Sequence, residues 1–300
     1  MPEWDPESEV DVALAARLIA AQFPELTDAP VRFLAAGWDN TVFAVDDRWA
    51  FRFPRRAVAI PGVEREIAVL PLLAPKVEVP IPAPRFVGRP TDEFEWPFFG
   101  APLLAGAEPT PAFDDAARAR LAPVLGRFLR SLHGLRLAVD LPVDPLGRAD
   151  MARRVPFAQQ RLDELAAAGL GDHRAAARPV LDAAHDLPSS ERRVLVHGDL
   201  HFRHLLVDAE RDNPLTGVVD WGDVCRGDPA MDLHLAWSLL PPATRPAFWD
   251  AYGPIEPDQA LRARVVATFL GAVLASYGEH EGLPAVRDEA LASLERTLTD

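Results

Sequence analysis

The alternation of apolar and polar positions predicts a β-rich beginning of the chain. Three short runs alternate in this way and are separated by turn-forming residues; they cover residues 31–34, 41–45 and 49–53. This pattern predicts a hairpin arrangement over residues 31–54. A helix is predicted over residues 62–73, and strands are predicted at residues 86–88 and 98–104. The first hundred residues are therefore expected to form a small sheet with one helix.

Helical periodicity dominates from Asp114 onward. Asp114 or Asp115 can cap a helix whose apolar positions recur at helical spacing through Leu132. Further helices are predicted over residues 157–168, 174–186, 259–277 and 284–298. Short β runs are predicted between them, at residues 193–196, 204–207 and 217–219. The layout predicts an N-terminal lobe over residues 1–100, a hinge over 101–106 and a mainly helical C-terminal lobe over 107–300.

The composition of the 300 residues is that of an ordinary globular protein. Hydrophobic residues make up 49% and charged residues 25%. The longest apolar runs are shorter than the roughly 20 residues of a membrane span, and the N-terminal residues lack the pattern of a secretory signal. The single cysteine excludes an internal disulfide. These features predict a cytoplasmic protein that does not bind a membrane.

The charge balance changes the expected partners. There are 31 Lys+Arg against 45 Asp+Glu, for a net charge of −14. A nucleic-acid-binding protein normally presents a basic face to the phosphates, so no nucleic-acid partner is expected. An acidic surface favours a cationic small molecule, although it more often serves solubility.

The densest polar cluster lies between two short apolar strands. Residues 197–204 read His-Gly-Asp-Leu-His-Phe-Arg-His, and the next apolar strand ends in Asp220. A hairpin of the two strands would bring Asp220 close to His204 and Asp199. Phosphoryl transfer needs a carboxylate to accept the proton of the alcohol and ligands for Mg²⁺, and these three residues supply both.

This cluster resembles the catalytic loop and metal motif of the aminoglycoside phosphotransferase family. The usual loop of that family reads His-Gly-Asp-Leu-His-x-x-Asn, followed by Ile-Asp-Trp and Gly-Asp-Pro-x-x-Asp. Here residues 197–204 match the loop, residues 219–221 read Val-Asp-Trp, and residues 227–232 read Gly-Asp-Pro-Ala-Met-Asp. The resemblance implies the bilobal protein-kinase-like fold of class α+β, with Asp199 as catalytic base and His204 and Asp220 as Mg²⁺ ligands.

The resemblance extends over nearly the whole chain and implies a nucleotide site. Residues 37–41 match the hairpin that covers the nucleotide, where Asn40 and the backbone amides of the turn would contact phosphates. Arg52 stands where protein kinases keep a lysine, and Glu66 matches the helix glutamate that pairs with that cation. The purine would contact the hinge backbone, which includes three residues of the next strand: Phe99, Ala101 and Leu103.

Two departures from the family pattern are relevant to the activity. His204 replaces the usual metal-binding asparagine, as in the macrolide phosphotransferases, and the nucleotide loop contains one glycine, Gly37. The leading prediction is a kinase that uses ATP or GTP to phosphorylate a hydroxyl of an aminoglycoside, a macrolide or a related amino sugar. The resemblance links it to antibiotic resistance and predicts a monomer or weak dimer.

Two other function classes stay open at this stage. Histidine in place of asparagine at position 204, and a nucleotide loop with a single glycine, also fit a pseudokinase that binds nucleotide or ligand without turnover. His197, Asp199, His201 and His204 together resemble the ligands of a metal-dependent hydrolase, although that interpretation leaves Asp220 unexplained. His197 is expected to hold the loop by hydrogen bonds, and Asp228 and Asp232 are expected to cap or pair near the following helix.

Overall fold

The computed structural model describes residues 7–37 and 39–299, which divide into two compact units. The first unit comprises the described residues up to Ala105 together with Val219–Asp223. The second comprises Gly106–Val218 and the described residues from Val224 onward. A mostly β first part and a mainly helical second part make the fold α+β, as the sequence predicted.

The first unit is built on one antiparallel sheet of five strands: β1 Val31–Ala36, β2 Asn40–Val45, β3 Trp49–Pro54, β4 Phe86–Gly88 and β5 Phe98–Pro102. Their order in the sheet is β1-β2-β3-β5-β4. The predicted strands are confirmed, with no boundary displaced by more than two residues. In β3, Phe51 and Phe53 are fully buried in an aromatic core, and strand alternation places Arg52 on the opposite face of the sheet.

Two helices belong to this unit, α1 Val12–Gln22 and α2 Ile60–Leu73. The prediction of a single helix was therefore wrong. Asp11 caps α1 by accepting a hydrogen bond from the backbone N–H of Leu14 at 2.7 Å. The apolar side of α1 is buried and joins the aromatic core of the sheet. The N-cap and the single apolar face together explain why this segment is helical.

The second unit is mainly helical. Its helices are α3 Asp115–Gly134, α4 Met151–Ala167, α5 Arg174–Ala184, α6 Ala230–Leu233, α7 Leu235–Ser238, α8 Arg245–Tyr252, α9 Pro257–His280 and α10 Pro284–Leu298. Two small antiparallel ladders lie among them. β6 Val194–Val196 pairs with β9 Cys225–Gly227, and β7 Leu205–Val207 pairs with β8 Leu215–Val218. The predicted pairing of the strands around residues 204–207 and 217–219 is thus confirmed.

Capping residues decide where two of these helices begin. Asp114 caps α3 through the N–H of Ala117, as predicted. Helix α4 begins six residues before its predicted start at residue 157, because Asp150 caps it and Pro156 is accommodated inside the helix. A proline within a helix costs one hydrogen bond, which tertiary packing can outweigh.

Helix α9 is long and apolar enough to cross a membrane, by length and composition alone. This differs from the expectation drawn from the apolar runs. In the structure, however, 56% of its most apolar 18-residue window is buried. The helix packs against α4, α5 and α10, so it forms the centre of the second unit. A central helix of a globular unit has the same composition as a membrane span.

Candidate active site

The loop of residues 197–204 connects β6 to β7 in the second unit. Gly198 adopts a left-handed backbone with φ of 92°, which a residue without Cβ can take readily. Residues 202–204 form a single 3₁₀ turn that leads into β7. The strands on both sides hold the ends of the loop, so its polar side chains are presented from a supported backbone.

Asp232 connects this loop to His133 of α3 through its carboxylate. Its fully buried carboxylate accepts the N–H of His197 at 2.8 Å and that of Gly198 at 3.1 Å, and it lies 3.2 Å from Nε2 of His133. Burial alone would raise the pKa of Asp232, but the hydrogen bond and charge of His133 and the contacts with His197 lower it below the usual value. Of the two roles predicted for Asp232, capping or pairing, the structure shows pairing, with the backbone amides of His197 and Gly198.

Asp199 and His204 are linked directly. Nδ1 of His204 lies 2.7 Å from the backbone oxygen of Asp199, so Nδ1 carries the proton and donates it. In the tautomer that this contact selects, Nε2 carries the lone pair, as a metal ligand requires. Nδ1 of His197 accepts the N–H of Asp199 at 3.3 Å, which fits the loop-holding role predicted for His197.

Arg148 is a neighbour of Asp199 that the sequence analysis missed. Its Nη2 lies 3.4 Å from Oδ1 of Asp199. The carboxylate of Asp144 accepts the backbone N–H groups of Arg148 and Ala149 at 2.8 and 3.1 Å, which fixes the turn before α4. A sequence separation of 51 residues gave no local signal for this contact.

His234 supports the loop from its buried side. Its Nε2 lies 2.6 Å from the backbone oxygen of Leu200, and its Nδ1 lies 3.3 Å from Oγ of Ser238. Burial lowers the pKa of His234 to about 4, although the contact with Leu200 and the charges of Asp232 and Asp199 act in the opposite direction. The imidazole is therefore neutral in the folded protein at neutral pH.

We expect this buried histidine to make the protein less stable in mild acid. The unfolded chain takes up a proton near pH 6.5 and the folded protein only near pH 4, so stability falls as the pH drops through that window. Between about pH 7 and about pH 5 the loss from this group is about 2 kcal/mol. Urea unfolding of wild type and His234→Gln at both pH values measures it. Equal pH dependence in the two proteins would contradict the assignment.

In the first unit, Arg52 bridges two carboxylates. Its Nη1 lies 2.8 Å from Oε1 of Glu66 and its Nη2 lies 2.9 Å from Oδ1 of Asp220. The predicted pair of Arg52 and Glu66 is confirmed. Burial alone would lower the pKa of Arg52, but Glu66 and Asp220 outweigh it and raise the pKa above the usual value. A guanidinium has separate nitrogens for both partners, which a lysine lacks.

The segment that carries Asp220 is held in an unusual conformation. Asp220 has a φ of 64°, in the left-handed region that non-glycine residues rarely adopt. The N–H of Trp221 donates to Oε1 of Glu66 at 3.0 Å, and the Arg65 guanidinium donates to the oxygen of Gly222. A non-glycine residue in a sparsely populated region costs of order 1–3 kcal/mol, and such residues cluster at functional sites.

The remaining predicted nucleotide contacts lie on the sheet of the first unit. Asn40 begins β2, and no hydrogen-bond partner of its buried Oδ1 is found among the described residues. Phe99 is fully buried opposite Arg52, whose guanidinium carbon lies 5.9 Å from the ring centroid. Ala101 is buried, and the N–H of Leu103 donates to the oxygen of Arg48 at 2.8 Å. The Leu103 N–H is therefore already paired within the unit, just beyond the end of β5.

The structure thus brings Arg52, Glu66, Asp220 and Phe99 together in the first unit. In the second unit it groups Asp199 with His204, and the donor atoms of Asp199, His201 and His204 all lie within 4.8 Å of one another. Trp38, in the predicted nucleotide-covering turn, lies outside the described residues. Each unit therefore holds one of the predicted carboxylates, Asp220 in the first and Asp199 in the second, in a fixed position.

A comparison with models of protein families matches residues 30–265 to the phosphotransferase enzyme family. The chain belongs to the phosphotransferase enzyme family. It is a small-molecule kinase, as the sequence predicted. A search of the curated proteins finds no match for this phosphotransferase.

Solved structures confirm the kinase-like fold of this phosphotransferase. The complex of APH(2'')-IIia with GDP and kanamycin is 24% identical, covers 94% of this chain and 97% of that one, and has a TM-score of 0.70. The GDP complex of aminoglycoside 2'-phosphotransferase-IIIa is 23% identical. The match covers 96% of this chain and 99% of that one, with a TM-score of 0.71. The macrolide 2'-phosphotransferase MphH from Brachybacterium faecium is 25% identical. The match covers 95% of this chain and 97% of that one, with a TM-score of 0.60.

Proposed function

We propose that this phosphotransferase transfers the terminal phosphoryl group of ATP or GTP to a hydroxyl of an aminoglycoside, a macrolide or a related amino-sugar compound. The observation that carries the proposal is the loop of residues 197–204. It presents the Asp199 carboxylate beside His204, whose Nδ1 donates to the Asp199 backbone oxygen. The hydroxyl acceptor classes come from the structures that the chain resembles, which include kanamycin-bound and macrolide enzymes.

Asp199 is proposed to accept the proton of the acceptor hydroxyl. Its side chain is 28% exposed, so an acceptor can reach it, while its backbone is held through His197 and His204. A general base needs this combination of access and fixed position. Nη2 of Arg148 lies 3.4 Å from Oδ1 and orients the carboxylate before an acceptor arrives.

Arg52, Glu66 and Asp220 are proposed to hold the nucleotide end of the reaction. Arg52 would contact nucleotide phosphates while Glu66 fixes its position, and Asn40, Phe99, Ala101 and Leu103 would surround the rest of the nucleotide. Asp220 and His204 would each supply one ligand to Mg²⁺. A carboxylate oxygen and a neutral imidazole nitrogen fit a divalent ion, although imidazole is softer than Mg²⁺ prefers. The bound ion would neutralise charge on the transferring phosphoryl group.

A coupled assay of nucleotide consumption tests the proposal. Panels of aminoglycosides, macrolides and small sugar alcohols are offered with ATP or with GTP, and phosphorylated product is identified by mass spectrometry. Acceptor-dependent product with one nucleotide is the expected result. Nucleotide binding without product from any acceptor would instead favour the pseudokinase alternative.

The same proposal places the protein in the cytoplasm as a monomer or weak dimer, without nucleic-acid or membrane partners. The net charge of −14 supports the exclusion of nucleic acid and a preference for a cationic acceptor. A link to antibiotic resistance follows if the acceptor is an antibiotic. Drug susceptibility of cells that express the protein measures that link.

We expect His204→Asn to retain phosphotransfer within about tenfold of wild type. Asparagine offers an amide oxygen, which is a harder ligand for Mg²⁺ than imidazole. The Mg²⁺ concentration for half-maximal rate should change, while any rate with Mn²⁺ should fall relative to that with Mg²⁺. The measurement is a metal titration of the rate at fixed nucleotide. Complete loss of activity in a folded variant would show that His204 has another role.

A further inference from the structure

Three donor side chains of the loop of residues 197–204 form a cluster that the proposed reaction does not need as a set. The ligand atoms of Asp199, His201 and His204 all lie within 4.8 Å of one another. Nε2 of His201 lies 3.8 Å from Oδ2 of Asp199, and the rings of His201 and His204 are 3.8 Å apart between centroids. The proposed Mg²⁺ site uses only one of these three side chains.

The local backbone explains why two imidazoles meet here. His201 precedes the 3₁₀ turn of residues 202–204, and the N–H of His204 donates to the oxygen of His201 at 2.9 Å. Side chains three residues apart lie near one another across a 3₁₀ turn, and the rings at positions 201 and 204 are tilted by 30° to each other. The spacing and the turn together create the pair.

His204 is also prepared as a ligand. Its Nδ1 donates to the Asp199 backbone oxygen at 2.7 Å, which leaves Nε2 as the acceptor nitrogen. Histidines that bind metals usually donate their second nitrogen to a backbone carbonyl or a carboxylate in this way. His201 is 8% exposed, so a bound ion would be partly shielded from solvent.

Two imidazoles and one carboxylate form a donor set typical of zinc-class ions and not of Mg²⁺. In a tetrahedral zinc site with ligands at 2.0–2.2 Å, donor atoms lie ~3.4 Å apart. The three donor atoms here lie within 4.8 Å of one another, so binding would draw them about 1 Å closer, and water would fill the fourth position.

We propose that Asp199, His201 and His204 bind one zinc-class divalent ion and that its binding inhibits the phosphotransferase. The inhibitory part rests on the proposed function: the ion occupies the carboxylate of the proposed base and the nitrogen of the proposed Mg²⁺ ligand. The binding part does not, since it depends only on geometry within one loop.

Cobalt(II) is the probe, because its visible absorption reports coordination number. Metal-free full-length protein is titrated with Co²⁺ in the absence of nucleotide, and Zn²⁺ is then added as competitor. Wild type should bind one ion with the strong absorption of a four-coordinate site. His201→Gln should bind it at least ~10-fold more weakly, because one of three protein ligands is lost.

His185→Gln is the matched control. His185 also stands beside a carboxylate, with Nδ1 2.8 Å from Oδ1 of Asp186, but it is exposed. This variant should bind Co²⁺ like wild type. Equal Co²⁺ binding by wild type and folded His201→Gln would overturn the site, as would the absence of saturable binding to wild type. X-ray absorption of the zinc-loaded wild type should show two imidazole ligands, and their absence would overturn it independently of any variant.

A rate assay separates the two parts of the proposal. At fixed Mg²⁺ and nucleotide, Zn²⁺ should inhibit wild type and His185→Gln at concentrations at least ~10-fold lower than it inhibits His201→Gln, each relative to its own rate. Tight binding without inhibition would overturn the inhibitory part and with it the roles given to Asp199 and His204. A protein without phosphotransfer under any condition would overturn the proposed function, while the Co²⁺ titration would still decide the site.

Discussion

Asp199→Asn should lower the turnover of this phosphotransferase by at least ~10², with nucleotide affinity nearly unchanged. The amide keeps the size of the side chain and its place beside Arg148, but it cannot accept a proton. General-base assistance is worth typically ~10²–10⁴ in rate, or about 3–5 kcal/mol of the barrier. Single-turnover rates with the best acceptor, together with calorimetric nucleotide titration, measure both quantities.

Asp186→Asn is the control for this experiment. Asp186 also lies next to a histidine ring, but its side chain is 97% exposed, so its substitution should change neither rate nor affinity. Near-normal turnover in Asp199→Asn would remove the general-base role. Joint loss of folding and nucleotide binding would show instead that Asp199 is structural.

Asp220→Asn is the second substitution for which we expect a large effect. Asparagine tolerates the left-handed backbone at this position, so the conformation should persist while the charge is lost. The ion that Asp220 is proposed to hold would contribute several kcal/mol to charge stabilisation in the transition state, so turnover should fall by at least ~10². The rate should also require more Mg²⁺, which a titration at fixed nucleotide measures.

Asp47→Asn provides a closely matched control in the same unit. Asp47 also has a positive φ, of 47°, and its carboxylate lies 2.8 Å from Nη2 of Arg32. Each substitution therefore removes the charge of an aspartate that has a positive φ and forms an ion pair with an arginine. If the two variants behaved alike, the effect of Asp220→Asn would be one of backbone or ion pairing, and the ligand role would be wrong.

The parts of the fold that follow local rules were predictable. Strand alternation gave β2 and β3, and with them the outward position of Arg52 between Phe51 and Phe53. The start of α4 was missed because Pro156 is tolerated within a helix that tertiary packing stabilises. Helix α1 was not predicted, although Asp11 caps it by accepting the N–H of Leu14.

The candidate site was predictable to the extent that its residues share a motif. The pair of Arg52 and Glu66 followed from the resemblance and is present at 2.8 Å. The contact of Arg148 with Asp199 and the support of the loop by Asp232 were not predictable. Each joins residues more than 30 positions apart, and only the packing of whole elements brings them together.

The Asp232 carboxylate has a consequence for the energetics of ligand binding. Because it holds the amides of His197 and Gly198 in the folded protein, the conformational entropy of ordering this loop is lost on folding and not on binding. An acceptor therefore meets a loop that needs no further ordering, which favours affinity. These two amides should exchange with solvent hydrogen only through openings large enough to expose a buried carboxylate, and so as slowly as the core of the second unit.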